Sequence, residues 1–570
     1  MRKPAGITYG PLEAPPLRMT VLSGVQHVAL MGIFLVYPVL IADAAGASAE
    51  VAAAMVSLTL IALALGTLLQ TVPIGPFGCG FLCPPTPTVV YLVPALVAAR
   101  LGGLPLVFGM TLFAGLLEVV LARMLVRMRA YFPPEIAGLV SLLVGIATGV
   151  LGLRAILGAD GGGTAQAGSQ DVAMALVTMA VMIALNVWAR GLLRMCCVLV
   201  GLAAGTAFAW QAGALDGAAL ARVAASPVVA VPDLGHVGFA FDAAMLAPFA
   251  IAAAVATVKV IGNVTSCQIA TDADWIRTDM RSVQRGVLAD GAATMLAAGL
   301  GSTGLTSSTA SVGLATATGV HARRVAYAIA AILLLMALSP MLGLLLNAMP
   351  RAVTGAALVF SSTFIVANGL QMLGSRLLDA RRTLVVGLAI VCGLAVDLFP
   401  AIVGALPASL QPILGTPLMF GAVLGLVLNL LFRLGARETR TLTLRPGLPI
   451  DPDSLRGFME ARGAAWGARR DVIERASFGL AQAVETIAGS GVVGSPIEVS
   501  ASFDEYNLDL RIAYDGPALE IPEQRPSVDE IVASDDGERR LAGYMLRQYA
   551  DRVSTSRRGE RTTVQLHFVH

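Results

Sequence analysis

Charge is distributed very unevenly along this chain, and that distribution limits what it can fold into. Residues 19–434 run as long apolar stretches with rare ions, whereas residues 436–570 are charged throughout. A bilayer interior offers no water to unpaired backbone N–H and C=O groups, so an apolar stretch of that length crosses it only as helices or a closed barrel. Only 13% of the 570 residues are charged and 56% are hydrophobic, against about 25% charged in an ordinary soluble domain. That balance excludes a typical cytosolic enzyme, a nucleic-acid binder and a disordered protein. The 60 glycines and 30 prolines are more tolerated in membrane helices, where neighbours re-satisfy the backbone. The expected organisation is a polar N-terminal segment (1–18), a membrane part (19–434), a linker (435–454) and a C-terminal aqueous domain (455–570). No apolar core precedes Met19, so no cleavable signal peptide is expected.

A window of about 20 apolar residues places spans near 19–42, 50–72, 79–98, 103–122, 133–153, 171–189, 195–213, 243–263, 286–301, 304–318, 325–347, 352–373, 383–403 and 411–432. The expected fold is therefore an all-α polytopic membrane protein of about fourteen spans, followed by a cytoplasmic α/β sandwich. The third and tenth spans make poor helices, carrying GCGFLCPPTPT (with Phe81) and STGLTSSTASVG. Irregular polar backbone survives at membrane depth only when buried in protein or lining a cavity. Broken spans at matching places in two halves point to two seven-span repeats and to a transporter binding site. Loops after even-numbered spans hold thirteen arginines, Arg382 among them, and the opposite loops hold four, Arg100, Arg154, Arg222 and Arg351. By the positive-inside rule both termini face the cytoplasm, with the protein in the inner membrane.

Few polar side chains interrupt the spans. Gln26 and His27 form a polar pair in the first; such a pair packs inward or faces a cavity. Lys3 and Lys259 are the only lysines, and Lys259 lies inside the apolar run Ala252–Ile261. A central Lys costs about 2.5–3.5 kcal/mol on insertion scales, so it marks a functional charge or a structural ion pair. Asn263 shares its helix face, and Asp290 is the expected carboxylate partner. The tenth span concentrates Ser302, Thr303, Thr306, Ser307, Ser308, Thr309, Ser311 and Gly313. A half-helix start there offers N–H groups to an acceptor or anionic group, while small-residue packing is the alternative. Glu118 is expected in interhelical bonding and Asp397 at an interface. The six cysteines, Cys79, Cys83, Cys196, Cys197, Cys267 and Cys392, are scattered and form no zinc pattern. No Walker loop, GxSxG elbow or HExxH is present, so no enzyme activity, cofactor or metal is expected.

At these residues the chain resembles the nucleobase–ascorbate transporters, the family of bacterial xanthine and uracil permeases, over residues 19–434. Four local matches carry the resemblance: Gln26-His27; Lys259-Val-Ile-Gly262-Asn263, where the family has acidic-x-x-Gly-acidic or polar; the stretch 285–309 with its acidic Asp290; and Ala310-Ser311-Val312-Gly313 through Thr318-Gly319, where the family signature is (Gln/Glu/Pro)-Asn-x-Gly-x-x-x-x-Thr-(Arg/Lys/Gly). The resemblance implies two inverted seven-span repeats, a core domain (spans 1–4 and 8–11) moving against a gate domain (spans 5–7 and 12–14). It also implies substrate between the third and tenth spans and the eighth helix, coupling to a proton or sodium, and a homodimer formed through the gate domain. The expected substrate or coupling residues are Gln26, His27, Phe81, Lys259, Asn263, Asp290, Ala310, Ser311, Gly313 and Thr318. Three of them depart from the family. Lys259 stands where the family has its substrate-binding carboxylate, Ala310 replaces Gln or Glu, and Ser311 replaces Asn. A cation that only donates hydrogen bonds suits a ligand rich in acceptors.

The C-terminal region resembles a degenerate histidine-kinase-like ATPase of the anti-sigma-factor kinase type. Its nucleotide boxes align with Gln482, Thr486 and Tyr514, which replace the family's Glu, magnesium-binding Asn and adenine-reading Asp, so no nucleotide binding is expected. The leading functional expectation is a secondary transporter of a nucleobase-like solute. An anion carrier of the same fold using Lys259, or a membrane sensor signalling through its C-terminal domain, are the other readings. No nucleic-acid partner is expected.

Overall fold

The computed structural model describes residues 2–4, 6–128, 134–158, 168–189, 193, 197–215, 217–227, 229–275, 278–339, 341, 348–374, 380–399, 401, 404, 414–433, 438–444, 452–466, 468, 470–489, 496–504, 507–527, 531 and 537–569. Two compact units emerge, Met1–Ser375 with Arg382–Leu428, and Arg376–Arg381 with Asn429–His570.

The first unit is built from helices α1 (Leu17–Gly32), α2 (Val36–Ala44), α3 (Ala49–Thr71), α4 (Val89–Met128), α5 (Pro134–Leu157), α6 (Ser169–Trp188), α7 (Cys197–Gln211), α8 (Gly217–Ala225), α9 (Ala243–Thr271), α10 (Met280–Gly299), α11 (Thr309–Thr318), α12 (Val325–Ala337), α13 (Arg351–Leu373), α14 (Ala380–Leu398) and α15 (Pro417–Arg433). Among the described residues, seven helices are long and apolar enough to cross a membrane. Helix starts are capped where the sequence offers an oxygen: Asp242 accepts from Ala244 N at 2.8 Å and Asp279 from Arg281 N at 3.0 Å. Each such bond satisfies one of the four donors a helix leaves open at its N-terminus.

Glycines let these helices meet closely. Gly138, Gly145 and Gly152 recur every seven residues along α5 and face α13: a Cβ on Gly152 would lie 2.6 Å from Gly355 O, and one on Gly145 2.8 Å from Val366 N. Without a hydrophobic drive inside lipid, close van der Waals packing of this kind holds spans together. The same device joins α4 to α10, where a Cβ on Gly115 would lie 2.7 Å from Gly291 O. A large apolar cluster, including Met31, Leu35, Leu60, Leu63, Val325 and Ile329, binds α1, α3 and α12.

The expected all-α character needs one correction. Each broken span opens with a three-residue strand, β1 (Pro85–Pro87) and β2 (Leu305–Ser307), paired antiparallel as Pro85↔Ser307, Thr86↔Thr306 and Pro87↔Leu305. The cause is Pro85 and Pro87, which cannot continue a helix, and hydroxyl-rich residues in β2 that favour extended backbone. The third span continues into α4, whose Gly102 and Gly103 (φ +67°) leave helical geometry and separate it from the fourth. A second correction concerns Arg382, expected in a cytoplasmic loop. It is a buried residue of α14, paired with Glu135 of α5 at 3.6 Å. Arg154 pairs with Asp397 at 3.2 Å. Cys196 lies outside the described residues.

The second unit is an antiparallel five-stranded sheet in the order β3-β4-β5-β7-β6, formed by β3 (Glu438–Leu444), β4 (Ile497–Phe503), β5 (Asn507–Asp515), β6 (Arg552–Arg558) and β7 (Arg561–Val569). Helices α16 (Pro452–Trp466), α17 (Arg470–Gly489) and α18 (Gly537–Tyr549) accompany it. Alternation in β7 buries Val564, Leu566 and Phe568, while Val472, Ala476, Leu480, Ala483 and Ile487 form the apolar stripe of α17. Glu438–Leu444, expected to be a linker, is a full strand pairing with β4 from Glu438↔Phe503 to Leu444↔Ile497. Its alternating Thr and Leu form a two-faced strand that the charge pattern alone did not distinguish from a loop.

Candidate functional site

The two broken spans bring their helix starts together. Thr88, directly after β1, accepts from Val90 N at 3.3 Å through its side chain; Ser308, directly after β2, accepts from Ser311 N at 3.2 Å. Thus α4 and α11 both begin at the β1–β2 pair, each with its positive dipole end there. α9 passes alongside and contributes Lys259 and Asn263.

Lys259 is buried, and its Nζ makes one hydrogen bond, a long 3.5 Å contact to Thr88 Oγ1. The expected ion pair with Asp290 does not form. Asp290 accepts instead from Ser307 N at 2.8 Å, so the carboxylate pins β2 and leaves the ammonium facing the start of α4. Asn263 is a scaffold for the same strand. Its Nδ2 donates to both Ser307 O and Ser307 Oγ at 2.9 Å, and its Oδ1 accepts from Thr309 Oγ1 at 2.9 Å. Thr294 of α10 adds a bond to Leu305 O at 2.8 Å, and Ser302 meets Thr59 of α3 at 2.6 Å. The short strand β2 therefore has side-chain anchors from two long helices, α9 and α10, and the turn before it one from α3, as irregular backbone at membrane depth requires.

The other expected residues divide. Gln26 and His27 of α1 are buried, with Gln26 Nε2 and His27 Nδ1 unpartnered. Ala310 and Ser311 open α11, and Ser311 Oγ is also buried and unpartnered. Phe81 belongs to an apolar cluster with Cys79, Cys83, Val260 and Val264, which packs the loop before β1 against α9. Gly313 lies mid-helix, where an added Cβ would meet nothing within 4 Å. Thr318 ends α11 and donates back to Leu314 O at 2.9 Å. Sequence reasoning missed Thr88, although its place after the Pro-Thr-Pro run and before an apolar helix is a cap signal. Tyr91 was missed too; its hydroxyl donates to Glu118 Oε1 in the buried interior. No group of His, Cys, Asp and Glu among the described residues forms a metal site.

A helical membrane unit with paired broken spans and a few buried polar groups between them defines a polytopic transporter. The chain belongs to the permease family, the xanthine and uracil permeases, whose family model matches residues 18–402; these are transporters rather than enzymes. It is 26% identical over 456 residues to the xanthine permease XanQ of Escherichia coli strain K12, covering 76% of this chain and 95% of that one. The xanthine permease of Bacillus subtilis strain 168 is 25% identical over 426 residues, covering 74% and 95%. Among solved structures, the murine Slc26a9 anion transporter in its inward-facing state aligns with TM-score 0.49 at 14% identity, covering 78% of this chain and 73% of that one. The transmembrane domain of the cyanobacterial bicarbonate transporter BicA aligns with TM-score 0.44 at 14% identity, covering 74% and 99%.

Proposed function

We propose that this permease is a secondary active transporter of a nucleobase by alternating access, with substrate held at β1–β2 between the starts of α4 and α11 and the Lys259 face of α9. The observation that carries this is the buried Lys259 ammonium, held by a single long bond to Thr88 at the start of α4, on a helix whose Asn263 holds Thr309 at the start of α11. All three present donors or positive dipole ends, so a bound heterocycle turns a carbonyl or an unprotonated ring nitrogen toward them. The xanthine permeases among its relatives support a purine as substrate. On this reading α1–α4 and α9–α12 form the core, and the glycine-bonded α5 and α13 belong to the gate. The fourteen-span count, the inverted repeats, a gate-domain homodimer, an inner-membrane location and cytoplasmic termini complete the proposal. The C-terminal unit is proposed to be a domain that has lost nucleotide chemistry and regulates the transporter or binds a partner. Thr486 there spends its hydroxyl on Gln482 O at 2.7 Å, and Tyr514 donates to Pro517 O at 2.8 Å.

The test is uptake of labelled xanthine, uracil and urate by proteoliposomes containing the full chain. Saturable uptake of at least one, competed by unlabelled compound, is expected; absence of binding and uptake for every purine and pyrimidine overturns the proposal.

A further inference from the structure

A cleft opens between α1–α2 and the start of α13, apart from the residues of the substrate site. It holds about 640 Å³, its open mouth included, within the range of about 300–1,000 Å³ that takes an organic ligand. Ile33, Val36, Val39 and Leu40 line one side at the spacing of a single helix face, and Leu202 of α7 and Ala357 of α13 line the other. Gly32 lies at the deep end, where an added Cβ would meet nothing within 4 Å. Contacts of α13 with the Ile33–Leu35 turn and of α7 with α1 close that end.

Charge is confined to the mouth. Asp43, at the end of the apolar stretch Leu17–Ala44, and Arg351, which opens the stretch Arg351–Leu373, both line the cleft. Each stretch is long and apolar enough to cross a membrane, so both residues stand at span ends on one membrane surface. Both are exposed, and neither makes an ion pair among the described residues. The helical run from Gly32 to Asp43 rises about 16 Å, roughly half the hydrocarbon core of about 30 Å. The cleft thus has the depth of one leaflet, with apolar walls below and one charge of each sign above.

We propose that this cleft binds one phospholipid with a primary-amine zwitterionic headgroup, of the phosphatidylethanolamine type. Its phosphate lies at Arg351, its ammonium at Asp43, and one acyl chain runs along Ile33, Val36 and Leu40. The planar guanidinium fork matches phosphate oxygens, and the carboxylate accepts from the N–H groups of the ammonium. A quaternary ammonium has no N–H to offer Asp43, and a headgroup carrying only negative charge is repelled by it. The apolar walls suit an acyl chain, whereas the polar edges of a nucleobase would be buried there without partners. On the function proposed above, α1–α2 belong to the core and α13 to the gate, so the lipid fills the space between two halves that move. That consequence rests on the transport reading; the binding itself does not.

The experiment is native mass spectrometry of the delipidated full chain, titrated in detergent with phosphatidylethanolamine, phosphatidylcholine or phosphatidylglycerol. One phosphatidylethanolamine is expected to be retained at concentrations about tenfold below those the other two lipids require. Arg351→Gln is expected to weaken retention of all three about tenfold, since each carries the phosphate. Asp43→Asn is expected to erase the preference for the primary amine. Gly32→Leu, which fills the deep end, is expected to lower retention of all three, and Arg100→Gln, an exposed arginine outside the cleft, to change nothing. Equal retention of the three lipids by the unaltered protein overturns the proposal. So does a preference untouched by Asp43→Asn, retention untouched by Arg351→Gln, or displacement of the lipid by xanthine. Asp43 and Arg351 are exposed, so their variants decide if Gly32→Leu does not fold. If no purine or pyrimidine is bound or carried, the transport reading fails, while lipid retention still decides the cleft.

Discussion

Asn263 of α9 holds Ser307 of β2 twice, donating from one amide nitrogen to both the backbone and side-chain oxygen of the serine at 2.9 Å. A side chain predicted to touch substrate thus positions the strand that forms the site. Substituting Asn263 by Ala leaves Ser307 O and the Thr309 hydroxyl without these partners, at about 1–3 kcal/mol for each buried group left unpaired. The expected outcome is a lower unfolding temperature together with lost uptake. Asn263→Asp, which keeps the acceptor for Thr309 and loses both donors, is expected to abolish uptake as well.

Lys259 separates binding from scaffold. Its one long bond to Thr88 means that Lys259→Gln removes little from the fold. A hydrogen bond to a charged group is worth about 1.5–3 kcal/mol, so substrate affinity is expected to fall roughly tenfold to a hundredfold at near-constant thermal stability. Lys259→Glu restores the acceptor the family carries and is expected to favour ligands presenting N–H groups there. Equal affinity in all three proteins, measured by titration calorimetry, would remove Lys259 from the site.

Much of the membrane unit was legible because lipid allows so few solutions. The Pro and hydroxyl clusters at 79–98 and 304–318 marked the broken spans. Their strand pairing was not legible, since Pro85 and Ser307 lie far apart in sequence and three-residue strands leave no periodicity. Arg382 was misplaced because a lone Arg at a span end looks like a loop residue until its buried partner, Glu135, is known. The expected Lys259–Asp290 pair failed for a similar reason. Opposite charges on neighbouring helices suggest pairing, and only the structure shows Lys259 Nζ reaching Thr88 Oγ1 while Asp290 accepts from Ser307 N. In the second unit the edge strand β6, RVSTSRR, is polar and Arg-rich and turns only Val553 toward the apolar core, so its sequence carries little strand signal.

The α5–α13 contact gives a packing prediction. At Gly152 an added Cβ would meet backbone atoms, Gly355 O at 2.6 Å and Val359 N at 2.9 Å, which no rotamer change relieves. Gly152→Ala is expected to cost about 1–3 kcal/mol by overpacking. Gly313→Ala, which meets nothing within 4 Å, is the matched control. Comparing unfolding temperatures of the two purified variants checks the contact.

The strand β3 shifts the working boundary of the second unit. It covers β4 over seven paired residues, and removing it exposes the apolar edge of a central sheet. A fragment covering 429–570 is expected to be soluble and to unfold cooperatively. A fragment covering 452–570 is expected to aggregate or to melt at lower temperature. Indistinguishable melting curves would return 438–444 to the role of linker.

The N-terminal segment carries a pH-sensitive contact beside the end of α11. Lys3 Nζ donates to Glu13 at 2.9 Å and 3.1 Å and to Thr8 O at 2.7 Å, and Gly10 N donates to Glu13 at 2.9 Å. The segment so shaped pairs Tyr9 with Val320 and bonds Thr8 N to Gly319 O, just beyond the end of α11. These contacts, the Lys3 hydrogen bond first and Gly10 N–H second, hold the Glu13 carboxyl below its ordinary value. A lowered carboxylate value means the stabilisation is fully present above the ordinary range and is lost as pH falls through the lowered value. A spin label at Gly6→Cys, a position with nothing within 4 Å of an added Cβ, is therefore expected to be immobile at neutral pH and to become mobile below the usual carboxylate range. With Glu13→Gln added, the label is expected to be mobile at every pH. A label whose mobility ignores both pH and Glu13 would show that the clamp on α11 is set by the backbone pairing at Val320 alone.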